Sequence, residues 1–238
     1  ARLGARTLLL TGQLDSIAQM PCNPAVGGVA KGHLVKEIDA LGGEMALATD
    51  ATGILFKTLN TSKGPAVRGP RAQCDKIAYA REVQRLIASR PEITIVRGAV
   101  EQFLLGNPAR KEGGSREQRV SGVIIHSEGN RSDLRAPAVV LTTGTFMRGL
   151  MHTGESQTPG GRIGEAAAVG ISAALKERGF ELGRLKTGTP PRLKRSTIDW
   201  TSLEPQYGDD PPQPFSDLTR SFGARRASEG TSFPSLLQ

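Results

Sequence analysis

Aromatic residues make up 4% of this 238-residue chain, with one tryptophan and two tyrosines. A base-stacking platform built from many Phe and Tyr side chains is therefore disfavoured. Cysteine is almost absent. Cys22 and Cys74 stand alone, too few for a disulfide framework, and they point to a reducing compartment. His33, His126 and His152 are scattered, and none lies near a cysteine at metal-ligand spacing, so no metal site is expected. No apolar run approaches the ~20 residues of a membrane span. The opening ARLGARTLLLTG has too short an apolar core for a signal peptide. An initiating methionine is missing, from which a fragment of a longer protein is expected. No GxGxxG occurs anywhere and no internal repeat is visible.

What is present in excess is positive charge. The net charge is +8 and the pI about 9.9, a balance that suits a polyanionic partner through phosphate neutralisation and counterion release. With 37% hydrophobic and 23% charged residues, the composition is that of a globular protein. Its length allows one large domain or two small ones.

The chain is organised around Met20–Gly43, MPCNPAVGGVAKGHLVKEIDALGG. Pro21 to Gly28 form a turn rich in Gly and Pro, followed by a helix from about Lys31 to Leu41. Leu34, Val35, Ile38 and Leu41 share one face at 3–4-residue spacing, and Gly42-Gly43 end the helix. Glycines without a Cβ admit close approach to the main chain. A helix N-terminus after such a turn offers N–H groups and the positive end of a dipole. A cysteine there can have a lowered pKa and a reactive thiolate. On residue type alone, a tight structural turn with a small buried thiol is the favoured reading, since free cysteine is among the most buried residues.

Elsewhere the pattern is alternating α and β. Ala1–Gly4 reads as a helix end capped by Gly4, and Thr7–Leu10 as a buried parallel strand. Thr11 stands where a dinucleotide fold commonly places an acidic residue. Residues 51–60 read as a short strand and turn, and residues 61–71 as a basic loop carrying Lys63, Arg68 and Arg71. Residues 72–89 read as a helix with Cys74 in its first turn. Residues 93–96, 99–105 and 120–127 read as strands by β-branched content, with a polar loop at 106–119. Val139-Val140-Leu141 reads as another buried strand ending in the Thr142–Thr145 turn, where ligands of open α/β sheets lie. Gln157–Gly164 is a Gly-rich turn opening a helix over 165–178, stopped by Gly179; its Arg162 can meet a phosphate or cap a carbonyl. Arg184, Lys186, Arg192, Lys194 and Arg195 interleave with Gly and Pro in the most basic run, a pattern that is usually solvated. Residues 203–238 read as a polar, Pro- and Gly-rich tail, loop or partly disordered.

Four words of this sequence are distinctive: PCNPAVGGVAKGHLVKEIDALGGEMA, LNTSKGPAVRGPRAQCDK, VVLTTGTFMRG and GRLKTGTPPR. In content, order and approximate spacing they resemble the MnmG family, also called glucose-inhibited division protein A, and the resemblance runs from about Thr7 to Phe215. It implies an α/β, glutathione-reductase-type FAD-binding (Rossmann-like) fold, incomplete, with a β-rich insert at about 93–135. Residues 1–150 would then be part of the FAD-binding domain without its first strand and GxGxxG loop. Residues 151–202 would continue it into an insertion region, and 203–238 would be the tail. The implied activity is FAD-dependent modification of the wobble uridine of tRNA, of the 5-carboxymethylaminomethyl or 5-taurinomethyl type. Methylenetetrahydrofolate is the one-carbon donor and NADH or NADPH the reductant. The family works as a homodimer with an MnmE-type GTPase. By the same resemblance Cys22 matches the first essential cysteine, whereas Cys74 does not match the second, which lies beyond this chain. Thr11, Asn23, Pro24, Gly27, Gly28, Lys31, Val100, Thr143, Gly144 and Thr145 are the implied FAD contacts. Lys63, Arg68, Arg162, Lys186 and Arg192 are the implied tRNA or anion contacts. GFELGRLKTGTPPRL and the GRIGEAA turn are closer to the mitochondrial branch, with a bacterial cytoplasm as the alternative. Two other readings remain open: a non-catalytic tRNA-binding or subunit-interaction remnant that holds no FAD, and a folate- and FAD-dependent tRNA uracil methyltransferase.

Overall fold

A computed structural model describes residues 1–21, 23–106, 109–110 and 116–219. Its chain divides into two compact units. The first comprises Ala1–Thr7, Asp15–Thr94 and Thr187–Gln238, the second Leu8–Leu14 and Ile95–Lys186.

Strand β1 (Thr7–Thr11) comes first in the chain, followed by β2 (Ala25–Gly27), α1 (Lys31–Ala40), α2 (Met45–Thr52), β3 (Gly53–Leu59), β4 (Gly69–Cys74) and α3 (Lys76–Ala88). Strands β2, β4 and β3 form an antiparallel sheet with β4 central, in register Val26↔Ala72 and Phe56↔Ala72. Period-2 alternation puts Val26, Phe56, Ala72 and Cys74 on one face. There they meet Val35 of α1, Ala46 and Ala48 of α2, Tyr79 of α3, Met20 and Phe215 in one buried cluster. Asp75 caps α3, accepting from the Ile77 and Ala78 N–H groups at 2.9 Å each, which satisfies two of its otherwise orphaned donors. At the end of α1, Gly42 at φ +82° donates to Asp39 O and Gly43 to Ile38 O, the glycine stop expected from the sequence.

The second unit continues with β5 (Ile93–Arg97), β6 (Ala99–Leu105), the short pair β7 (Ala109–Arg110) and β8 (Arg116–Glu117), β9 (Val120–Ser127), β10 (Asn130–Arg135), β11 (Leu150–Thr153), β12 (Ser156–Pro159) and α4 (Gly170–Glu177). Strand β1 pairs with β5. Bonds from Thr7 N to Glu92 O and from Gly98 N to Thr11 O make the pair parallel. Strands β10, β9 and β6 form an antiparallel sheet. Gly122 is obligatory in it, because its φ is +151° and a Cβ would sit 2.0 Å from Leu134 O. Helix α4 buries Ile171 and Ala174 and packs on β6.

Several sequence expectations are overturned. Leu34, Ile38 and Leu41 are 56%, 42% and 83% exposed; only Val35 of that helix face is buried. Leu8 on β1 is exposed rather than buried. Val139–Leu141 forms no strand, and Val140 is 84% exposed. The helix expected over 165–178 is confined to Gly170–Glu177, because residues 160–168 are tied into turns by pairs such as Arg162↔Glu165 and Met147↔Ala168. Residues 69–74 are the central strand of the first sheet, so Cys74 ends β4 and does not start a helix. Residues 45–52, read only in part and as strand, form α2, where the Thr49 and Thr52 hydroxyls donate to the carbonyls four residues back. Ala1–Gly4 is a turn, with Gly4 N–H donating to Ala1 O.

The largest correction concerns the segment after residue 203. Phe215 and Ser216 are fully buried. Asp50 on α2 accepts from the Phe215 and Ser216 N–H groups at 2.8 and 2.9 Å and from the Thr219 hydroxyl. Asp209 accepts from the Thr58 N–H and hydroxyl, at 2.7 Å each, and its own N–H donates to Phe56 O. Residues 207–219 are thus a strap docked on the first unit.

Candidate functional site

The turn that the sequence singles out is held at both ends. Met20 on one side is buried in the core. On the other side, Cys74 N–H donates to Pro24 O at 2.8 Å, and Gln73 Nε2 donates to Asn23 Oδ1 at 3.2 Å. Strand β4 is therefore the rail on which this turn is mounted. Cys22 itself lies outside the described residues. Asn23 beside it is exposed, and Pro24 is half-buried.

The glycines of the turn serve the protein's own packing. A Cβ on Gly27 would lie 2.3 Å from Pro70 O and 2.7 Å from Phe215 Cζ. One on Gly32 would lie 2.6 Å from Pro70 O. Gly28 is buried at φ +107° and donates to Pro70 O at 2.8 Å. The amides of Lys31 and Gly32 are bonded to Val29 O and Gly28 O. The expectation of an open N–H cradle at the start of α1 is corrected accordingly: these donors are used within the turn. Lys31 remains exposed on the first turn of the helix.

The basic loop comes to the same place through Gly69, whose Cβ position is 2.8 Å from Gly28 O. Lys63 and Arg68 are exposed on it. The loop braces itself: Asn60 Nδ2 donates to Val67 O at 3.1 Å, and Arg68 donates to Thr61 O at 3.1 Å. Two of the four sequence words thus lie side by side in the first unit. Arg71, which sequence reasoning left in the loop, is in register with Gly27 on one side and Lys57 on the other. That adds a basic row across the sheet next to the glycine turn. Its signal was the alternation over residues 69–74, masked by Gly69 and Pro70. Arg192 is exposed in irregular chain of the same unit.

The remaining candidates belong to the second unit. Thr11 ends β1 with its hydroxyl donating to Gln13 O at 3.2 Å. Val100 is half-buried on β6, just before a register shift at Glu101. It borders a groove of about 440 Å³ whose other wall carries small residues such as Ala168, Gly170 and Ala174. The Thr143–Thr145 turn is closed by Phe146 N–H donating to Thr143 O at 3.4 Å. Gly144 takes φ +58° with nothing within 4 Å of a Cβ position. Arg162 pairs with Glu165 at 2.9 Å and lies 5.7 Å over the Phe146 ring. Lys186 is exposed in irregular chain.

Cys74 is fully buried, consistent with an inert thiol. Beside it the Tyr79 phenol is pushed up to about 12, chiefly by burial and then by the Cys74 charge. Among the described residues no cluster of three or more His, Cys, Asp or Glu is arranged to hold a metal, and no helix is long and apolar enough to cross a membrane.

Comparisons with known proteins converge. A family model described as "Glucose inhibited division protein A" matches residues 1–231. The chain is 53% identical over 216 residues to the tRNA uridine 5-carboxymethylaminomethyl modification enzyme MnmG of Syntrophotalea carbinolica, covering 91% of this chain and 33% of that protein. It is 52% identical over 218 residues to the enzyme of the same name from Rhodopirellula baltica, covering 92% and 33%. Among solved structures, Aquifex aeolicus GidA superposes with a TM-score of 0.80 at 44% identity, over 92% of this chain and 34% of that one. The chain spans about a third of the length of the relatives it matches.

Proposed function

The chain belongs to the glucose inhibited division protein A family, and from that premise we propose that it is part of an FAD-dependent enzyme that modifies the wobble uridine of tRNA. One observation carries the reading: 52–53% identity, across nine-tenths of the chain, to enzymes named for tRNA uridine modification. Its fold is the α/β, Rossmann-like, FAD-binding type expected from the sequence.

The second unit supplies residues suited to a flat, largely apolar ring. Val100 borders a groove walled by alanines and glycine, and Gly144 leaves its strand-end turn open to close approach. Thr11, Val100, Thr143, Gly144 and Thr145 are the FAD contacts proposed for this unit. Those proposed for the first unit are Asn23, Pro24 and Lys31, with Gly27 and Gly28 through their main chain alone. Bound FAD supplies redox and one-carbon chemistry, with methylenetetrahydrofolate as donor and NADH or NADPH as reductant. Cys22 is the proposed nucleophile or general acid/base toward the uracil ring. Its turn, clamped between Met20 and β4, fixes the main chain on both sides of the thiol. Lys63, Arg68, Arg162, Lys186 and Arg192 are proposed phosphate contacts for tRNA, with Arg71 added to them. An MnmE-type GTPase and a second copy of the enzyme are the proposed partners. The relatives compared are bacterial, which favours a bacterial cytoplasm over the mitochondrion.

The test is nucleoside analysis of tRNA from cells in which this protein is deleted. The modified wobble uridine should disappear, return with the wild-type gene and stay absent with Cys22→Ser. Unchanged wobble modification in the deletion would refute the reading.

A further inference from the structure

Residues 194–202, which follow the proposed phosphate contact Arg192, carry a further feature. Arg192, Lys194 and Arg195 place three cations within four residues, all exposed. They are followed by the chain's sole tryptophan, Trp200, which is 50% exposed. Lys194, Arg195, Ser196, Ile198 and Trp200 line one shallow, open concavity.

The concavity is preformed by local bonds. One 3₁₀ turn spans Arg195–Thr197, closed by the Thr197 N–H and hydroxyl donating to Lys194 O at 2.9 and 2.7 Å. A second spans Trp200–Ser202, capped by Asp199. The Asp199 carboxylate accepts from the Thr201 N–H and hydroxyl, at 3.1 and 2.6 Å, and the Ser202 hydroxyl donates to Asp199 O at 3.0 Å. Those Thr201 donors hold the Asp199 carboxyl below its usual range. Its charge is thus turned into its own backbone turn. Trp200 opens the second turn, half exposed, and shares the concavity with the apolar Ile198 and the cations Lys194 and Arg195.

We propose that Trp200 stacks on one unpaired base of RNA while Lys194 and Arg195 meet the adjoining phosphates. A flat aromatic face beside cations is the pattern that binds single-stranded nucleic acid without sequence preference, and stacking contributes ~1–3 kcal/mol per base. The charge argues against an apolar protein segment as occupant, since covering the exposed Lys194 ammonium without counter-charge is costly. A nucleotide brings both the ring and the counter-charge. This inference rests on the tRNA reading and names where an unpaired base of that substrate sits.

Because Trp200 is the only tryptophan, its fluorescence reports this site alone. The full chain is titrated with an anticodon stem-loop RNA, binding is followed separately by mobility shift, and heparin serves as a polyanion without bases. Saturable quenching by RNA in step with binding is expected, with no quenching by heparin. Trp200→Ala should weaken RNA binding by roughly 5- to 150-fold, the range set by the stacking term, and Trp200→Phe should restore most of it. RNA binding that leaves the tryptophan emission unchanged, or that Trp200→Ala does not weaken, overturns the site and leaves the tRNA reading standing. Equal quenching by heparin also overturns stacking. A chain with native circular dichroism that binds no RNA by either readout overturns both.

Discussion

Removing the Phe215 side chain should unfasten the strap that the first unit wraps over its own core. Phe215 is fully buried and, among the described residues, is the largest side chain so enclosed. Its ring also fills the space that a Cβ on Gly27 would need. Truncating such a phenylalanine typically costs ~3–5 kcal/mol, as transfer free energy plus a residual cavity. Asp50→Ala attacks the same strap from the polar side. It deprives the Phe215 and Ser216 N–H groups and the Thr219 hydroxyl of their carboxylate acceptor. A hydrogen bond to a charged group contributes ~1.5–3 kcal/mol, and a buried donor left unpaired costs about 1–3 kcal/mol. Since one docking event makes all these contacts, we expect Asp50→Ala to cost about 3 kcal/mol rather than the sum of three bonds. Against a typical domain stability of ~5–15 kcal/mol, either change is large. Urea unfolding followed by Trp200 fluorescence, which reports the first unit, supplies both values and the double-mutant cycle. The two losses should fall short of additivity by ~1 kcal/mol or more, because residues acting through one docked segment couple. A cost below ~1 kcal/mol for Phe215→Ala would return this segment to a solvated tail. Full additivity would show that the aromatic and the carboxylate do not act through one strap.

Two glycine changes and one tyrosine separate the remaining claims. Gly27→Ala meets Pro70 O and Phe215 at φ +84° and should destabilise by ~2–4 kcal/mol, combining left-handed strain with overpacking. Gly144→Ala, at φ +58° in open space, should cost only the strain, ~1–2 kcal/mol; thermal melts that rank the two the other way would refute the packing account of the cysteine turn. Tyr79 has a folded pKa raised by burial, to about 12 from 10.0, so the folded state keeps a proton that the unfolded state has lost. Stability therefore falls as pH rises between about 10 and 12, by up to ~2 kcal/mol. Tyr79→Phe should remove that fall, and an unchanged alkaline limb in the variant would contradict it.

Local chemistry made much of the first unit legible. The Gly42-Gly43 stop of α1 follows from backbone freedom that only glycine has. In the second unit, strand β9 follows from its β-branched run of valines and isoleucines. The Val139–Leu141 run misled for the same reason: a short apolar stretch is compatible with a strand, and only its neighbours decide whether a ladder forms. In this structure it has none, and Val140 faces out. Helix α2 was obscured because Thr49 and Thr52 read as poor helix residues until their hydroxyls find carbonyls one turn back. The buried role of Phe215 was invisible because its carboxylate partner, Asp50, is 165 residues away.

The sequence by itself determined the family, the basic character and the words that carry the candidate chemistry, because these are properties of residue identity and order. Only the tertiary structure decided what the glycines of the turn are for. Residue type favoured a tight structural turn over a ligand-facing one, and the packing shows what fills the space: Pro70 arrives beside both Gly27 and Gly32, and Phe215 beside Gly27. The same holds for Cys74, whose inertness comes from complete burial at the end of β4, and for Trp200, whose exposure at the start of an Asp199-capped turn no residue count could reveal. Spacing along a chain constrains what can be neighbours within a turn or a strand; packing decides which surfaces are left for anything else.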